Sequence, residues 1–192
     1  SLDRLPAVYA DESEAETLEI MLKDAVSEVE ITLLYGVLPE ADIITRSVLV
    51  KNEGKDKIYL EKVLSACLDF VGGNFDLITF QGRHCMDRMY QRHPLAHGTM
   101  KIGSRRGTSS HQYNPMLILA DHETTEDFGS CYSMTFMYSG SFQAEVEKDQ
   151  FNQTRALIGL QQEGFRYPLE PGEAFTAPEV ILSFGAQGLN RL

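Results

Sequence analysis

The chain has 192 residues, 43% of them hydrophobic and 23% charged, values of an ordinary globular protein that speak against disorder. Its formal net charge of −11 argues against a nucleic-acid partner, because phosphate backbones require a basic footprint. No apolar run approaches the roughly 20 residues of a membrane-spanning helix, so no membrane is expected. The three cysteines, Cys67, Cys85 and Cys131, lack metal or redox spacing and read as free thiols of a reducing, cytoplasmic compartment.

The dominant hydrophobic period is two. In Thr17–Lys23 the apolar residues Leu18, Ile20 and Leu22 stand opposite Thr17, Glu19 and Lys23, and in Val29–Val37 the alternate positions are Val29, Ile31, Leu33, Tyr35 and Val37. Alternation of this kind predicts strands with one buried face. Asp24–Glu28 between them predicts a hairpin turn. Further strands are expected at Asp42–Val50, at Ile58–Phe70 after a turn built on Gly54, and at Phe75–Phe80 after Gly72-Gly73-Asn74. The segment Arg83–Gly98 has no clean period and holds arginines, histidines and a proline. Strands resume at Met116–Ala120, Ser130–Tyr138, Phe142–Lys148, Thr154–Leu160 and Ala174–Phe184. Ser139-Gly140 reads as a tight hairpin and Pro168–Gly172 as a turn. Many short strands with frequent turns predict an all-β sandwich.

The most chemically loaded stretch is Ser104–Pro115. It carries Arg105, Arg106, Ser109, Ser110, His111, Gln112 and Asn114, a dense set of donors and acceptors suited to sugars, phosphates or a polar protein surface. Its simpler reading is a turn held by side-chain-to-backbone bonds.

Five motifs in register carry a family resemblance: Gly-Thr-Ser-Ser-His-Gln-Tyr-Asn-Pro (107–115), Thr-Thr-Glu-Asp-Phe-Gly (124–129), Tyr-Ser-Gly-Ser-Phe (138–142), Gln-Thr-Arg (153–155) and Leu-Glu-Pro-Gly-Glu-Ala-Phe-Thr-Ala-Pro-Glu (169–179). In order and spacing the chain resembles the N-terminal domain of glycoside hydrolase family 36 α-galactosidases. The resemblance implies a large antiparallel β-sandwich, the galactose-mutarotase-like supersandwich, over residues 1–184. Residues 185–192 would then begin a linker to a catalytic barrel. It implies that the first strands of the family's domain and the catalytic barrel lie outside this chain, so the chain alone would be inactive. The Ser104–Pro115 residues would face the barrel and the rim of the sugar site. The resemblance further implies a retaining α-galactosidase acting on melibiose- or raffinose-like galactosides, often as a homo-oligomer, with no cofactor. The rival reading is a stand-alone carbohydrate-binding sandwich, which would stack sugars on tyrosine or phenylalanine.

Two other constellations have plainer explanations. Asp121, Glu123, Glu126 and Asp127 crowd one loop, and Glu145 and Glu147 share a strand face. Glycosidases use paired carboxyl groups, but in so acidic a chain a solvated turn and the wet face of an edge strand suffice. His84, Cys85, His93 and His97 suggest a metal, yet Pro94 argues against the helix that would align His93 with His97. No metal is expected. No phosphate-binding loop, dinucleotide fingerprint or nucleophile elbow is present.

Overall fold

The period-two segments form strands throughout the computed structural model, which describes residues 15–192. β1 (Glu16–Asp24) and β2 (Val29–Leu38) pair from Glu16↔Val37 to Asp24↔Val29. Asp24 builds their turn: its carboxylate accepts from the Val26 amide at 2.9 Å and the Ser27 hydroxyl at 2.6 Å, the local bonding that favours aspartate in turns. β3 (Ile43–Asn52) pairs with β2 along its full length. The turn after it is organised by Asn52 rather than by Gly54 alone. Asn52 is fully buried, donates to the carbonyls of Asp56 and Leu169, and accepts from the Gly54 amide.

Ile58–Phe70, expected as one strand, is two. β4 (Ile58–Leu60) pairs with a short ribbon strand at Tyr167–Leu169, while β5 (Leu64–Phe70) pairs with Thr154–Leu160. The register slips between Ile158 and Gly159, where a Cβ on Gly159 would sit 2.5 Å from Leu64 Cα and 2.7 Å from Val63 O. Backbone cannot move aside as a flexible side chain can, so the bulge requires glycine.

The unreadable Arg83–Gly98 segment is mostly strand. β6 (Phe75–Arg83) turns at His84-Cys85 into β7 (Met86–Pro94), and β8 (Gly98–Gly103) follows. The remaining strands are β9 (Met116–Asp121), β10 (Cys131–Phe136), β11 (Phe142–Lys148), β12 (Thr154–Leu160), β13 (Tyr167–Leu169), β14 (Ala174–Thr176) and β15 (Val180–Gly185). The expected strand Ala174–Phe184 thus breaks around Pro178, which has no amide hydrogen to donate. The break is stitched to β3, Ala177 donating to Val48 O and the Ser47 hydroxyl to Ala177 O.

All pairings are antiparallel. The large sheet runs β1-β2-β3-β15-β10-β9-β6-β7, with β14 also on β3, and the small sheet runs β5-β12-β11-β8. Among the described residues β15 is therefore the strand that links β1-β2-β3 to β10-β9-β6-β7 in the large sheet. Ser139-Gly140 is not a hairpin: it carries the chain from β10 in one layer to β11 in the other. The two sheets enclose the core, where Phe136, Phe142, Leu117, Leu119, Met134 and Ile158 are at most 1% exposed. Helical content among the described residues is two three-residue 3-10 turns, Pro39–Ala41 and Leu189–Arg191. The expected antiparallel β-sandwich is the observed fold.

Candidate functional site

Residues 104–115 form another layer crossing, from β8 in the small sheet to β9 in the large one, and they lie against the β10–β11 crossing. The Ser104 amide donates to Phe142 O, Gly107 N to the Ser141 hydroxyl at 2.8 Å, and Ser109 N to Ser139 O at 2.8 Å. Within the loop the buried Ser104 hydroxyl donates to Thr108 O at 2.6 Å, and the Ser110 hydroxyl accepts from Gln112 N. The serines therefore do the work of a self-stabilised turn. The larger side chains do not. Arg105 pairs with Glu163 at 2.6 Å and His111 approaches Asp87 at 3.7 Å, all four exposed, contacts of little energetic weight in water. The side chains of Arg106, Gln112 and Asn114 have no hydrogen-bond partner among the described residues. Exposed Met137 and Tyr138 lie beside the loop, so this end of the sandwich presents unpaired donors and acceptors around apolar and aromatic groups.

A second cluster was not foreseen from sequence. Asp76 on β6 is 3% exposed and accepts from Arg92 Nε at 2.6 Å, with His122 Nδ1 at 2.9 Å from its other oxygen. Arg92 on β7 also donates to the carbonyls of Thr124 at 2.6 Å, Asp121 at 3.0 Å and His122 at 2.8 Å. One guanidinium thus clamps the whole turn that follows β9. That turn in turn holds the C-terminal residues. Gly188 N donates to Gly129 O, Leu189 N to Thr125 O and Asn190 N to Glu126 O, so within residues 185–192, expected to begin a linker, residues 188–190 are bonded to the 124–129 loop. Burial pushes the Asp76 carboxyl up, but the His122 and Arg92 bonds outweigh it and hold it below the usual aspartate value. A depressed folded-state value means that the linked stability is present above about pH 4 and disappears as the pH falls through the folded value. Asp76→Asn is expected to destabilise the protein most near neutral pH, with the gap to wild type closing in acid. Urea unfolding across that range checks this, and a pH-independent gap would remove Asp76 from the account.

Two of the acidic groups singled out from sequence, Glu145 and Asp127, are engaged by other side chains. Glu145 accepts from Gln143 and is bridged by Lys101 at 2.7 Å and Lys62 at 3.9 Å. β11, which carries it, is an interior strand of the small sheet rather than the edge strand expected, so Glu145 and Glu147 lie on that sheet's outer face. Asp127 accepts from the Asn190 amide at 3.1 Å. His93 meets Gln91 at 3.4 Å and His97 meets Asn152 at 3.1 Å, so the two histidines face different partners. No group of three or more His, Cys, Asp or Glu able to hold a metal occurs among the described residues.

Residues 1–170 match the glycosyl hydrolase family 36 N-terminal domain. The chain belongs to that family. Along all of its length it is 62% identical, over 191 residues, to the bifunctional α-galactosidase/sucrose kinase AgaSK of Mediterraneibacter gnavus, of which it covers 20%. To α-galactosidase Mel36A of Lactobacillus acidophilus it is 42% identical, covering 25% of that protein. Among solved structures, a variant of the family 36 α-galactosidase AgaA of Geobacillus stearothermophilus in complex with stachyose superposes with a TM-score of 0.96 at 41% identity, over 100% of this chain and 27% of the other. The chain therefore spans about a quarter of the length of the family 36 enzymes it resembles. A putative aldose 1-epimerase from Escherichia coli, 14% identical with a TM-score of 0.54, shares the sandwich fold.

Proposed function

We propose that this chain is a non-catalytic domain of a cytoplasmic α-galactosidase that hydrolyses terminal α-galactosides such as melibiose and raffinose. Its role is to brace the catalytic barrel and contribute to a subunit interface. The observation that carries the reading is coverage: the chain aligns end to end with α-galactosidases while spanning 20–27% of their length. Retaining hydrolysis needs one carboxylate to attack the anomeric carbon and a second carboxyl group to protonate the leaving oxygen. Asp76, a buried carboxylate, is taken up by Arg92 and His122, and Glu145 by lysines, so those roles fall to the rest of the polypeptide. Arg106, Gln112 and Asn114 find partners on the barrel, where unpaired guanidinium and amide groups are costly once buried. The exposed, unpaired Cys67 and Cys85 agree with a reducing compartment.

An aryl α-galactoside incubated with this chain alone is expected to remain intact, while the full-length polypeptide cleaves it. Turnover that survives repurification and is lost on a substitution within this chain would overturn the reading. Arg106→Ala and Asn114→Ala are expected to lower the melting temperature of the full-length enzyme and to change this chain's stability by less than about 0.5 kcal/mol. Galactose binding by the chain alone, abolished by Arg105→Ala, would favour the stand-alone carbohydrate-binding module instead.

A further inference from the structure

The large sheet carries a second, smaller apolar cluster on the face turned away from the core. Ile78, Ile118, Ala120 and Cys131 form it, and Leu189 packs on it. Ile118 opposes Ile78, which opposes Arg92, and Cys131 opposes Ala120, which opposes Asp76. Directly opposed residues of paired strands share a face, so Leu189 lies on the same side of the sheet as the Asp76–Arg92 pair. Cys131 is fully buried, its Sγ 3.4 Å from Gly188 O and 3.6 Å from Gly185 O. Gly188 has φ +85°, and a Cβ on it would lie 2.3 Å from Glu126 O, so residues 188–191 meet the turn after β9 backbone to backbone. The bonds on that turn are divided. Arg92 holds its first half, at the carbonyls of Asp121, His122 and Thr124. The amides of Gly188, Leu189 and Asn190 hold its second half, at Gly129, Thr125 and Glu126.

We infer that residues 188–191 are a latch that opens and closes as one unit with the 121–129 turn, and that Arg92 on β7 sets how often it opens. Three backbone bonds and one apolar side chain hold a short segment weakly, and such segments open locally well below the free energy of global unfolding. Their bonds also need acceptors in fixed places. The guanidinium supplies that: it pins three carbonyls in one planar fork, and the next residues of the turn then present Thr125, Glu126 and Gly129 in register. Without it the turn has many conformations and the three amides have no single surface to meet. Arg92 thus acts on residues 188–191 through the turn. The latch belongs to this chain alone. Its consequence rests on the proposal that the chain is one part of a longer enzyme: a closed latch fixes the direction in which the polypeptide continues toward the catalytic barrel, and Arg92 is a positioning residue for that joint.

Peptide-resolved hydrogen exchange and alkylation of Cys131, both on the full-length polypeptide, test this. In the unsubstituted protein the peptides carrying Thr124–Thr125 and Gly188–Asn190 are expected to exchange at one common rate, at least tenfold faster than those of β11 and β12. Arg92→Ala is expected to speed exchange of Gly188–Asn190 and alkylation of Cys131 at least tenfold, with Arg92→Lys between the two. If residues 188–190 exchange faster than the turn and are indifferent to Arg92→Ala, they fray on their own and the inference fails. It fails equally if both segments exchange only as slowly as β11 and β12, because they then open only with the whole domain. Should Arg92→Ala fail to fold, Asn190→Ala decides. It removes the 3.1 Å bond to Asp127 from the other side and is expected to speed Thr124–Thr125 along with Gly188–Asn190; an unchanged turn overturns the latch. Hydrolysis of an aryl α-galactoside by the same preparations is read separately. An active enzyme whose residues 188–190 fray independently sinks this inference and leaves the proposed function standing, and an inactive one with a cooperative latch does the reverse.

Discussion

Arg92→Ala is expected to lower the unfolding free energy of this chain by about 3 kcal/mol, the scale of removing one partner from a buried ion pair. The loss has two sources. Asp76, 3% exposed, keeps its charge with only His122 to compensate it. The carbonyls of Asp121, His122 and Thr124 lose their shared donor, and each has to find water or remain unsatisfied. Arg92→Lys should recover part of the loss, because an ammonium restores the charge but cannot serve four acceptors in a planar fork. Urea unfolding followed by circular dichroism measures both variants. A cost below about 1 kcal/mol for Arg92→Ala, the range of an exposed pair, would mean that the clamp does not hold the turn.

Phe142→Ala is expected to cost about 3–5 kcal/mol, the range for deleting a buried phenylalanine. The ring is fully buried between the sheets, in the first residue of β11 after the layer crossing. Its backbone is also committed: Phe142 O accepts from the Ser104 amide at 2.9 Å, and Gly103 leaves room for it, since a Cβ there would lie 2.4 Å away. The surroundings are thus pinned on both sides and poorly able to collapse into the void. Phe128→Ala, at a 67% exposed ring, serves as the control and should stay within about 0.5 kcal/mol of wild type.

The strands themselves were legible because period two is a local property, visible wherever one face is buried and the other wet. Which strand joins which sheet was not. Ser139-Gly140 has the composition of a hairpin turn, yet a tight turn can join two strands of one sheet or pass between layers, and the local residues are the same in both cases. The division of Ile58–Phe70 follows from its two distant partners, β13 for β4 and β12 for β5, and no nearby residue announces it. At the 104–115 loop the residue types signalled a polar surface correctly. The pairing of Arg105 with Glu163 could not be read, because it depends on where the chain returns after β12. The Asp76–Arg92–His122 cluster was invisible for a related reason. Its members belong to three consecutive positions across the large sheet, β7, β6 and the end of β9, and Arg92 lies in the one segment whose pattern could not be read.

The place of β15 has a consequence for the order in which the protein assembles. The ribosome delivers β1, β2 and β3 early, and they form a meander from local contacts. β6, β7, β9 and β10 can likewise find one another once synthesised. Among the described strands β15 is the one paired with both groups: Val180–Ser183 registers against Ile43–Arg46 on one side, and Val180–Gly185 against Cys131–Phe136 on the other. Until residues 180–185 emerge, β3 and β10 both expose unpaired edges, the kind of surface that recruits wrong partners. The closing step brings together segments more than a hundred residues apart, and the long loop must be closed before its contacts repay the cost. The joining of the two groups therefore waits on β15, and a nascent chain halted before that strand is two half-sheets waiting for a wedge.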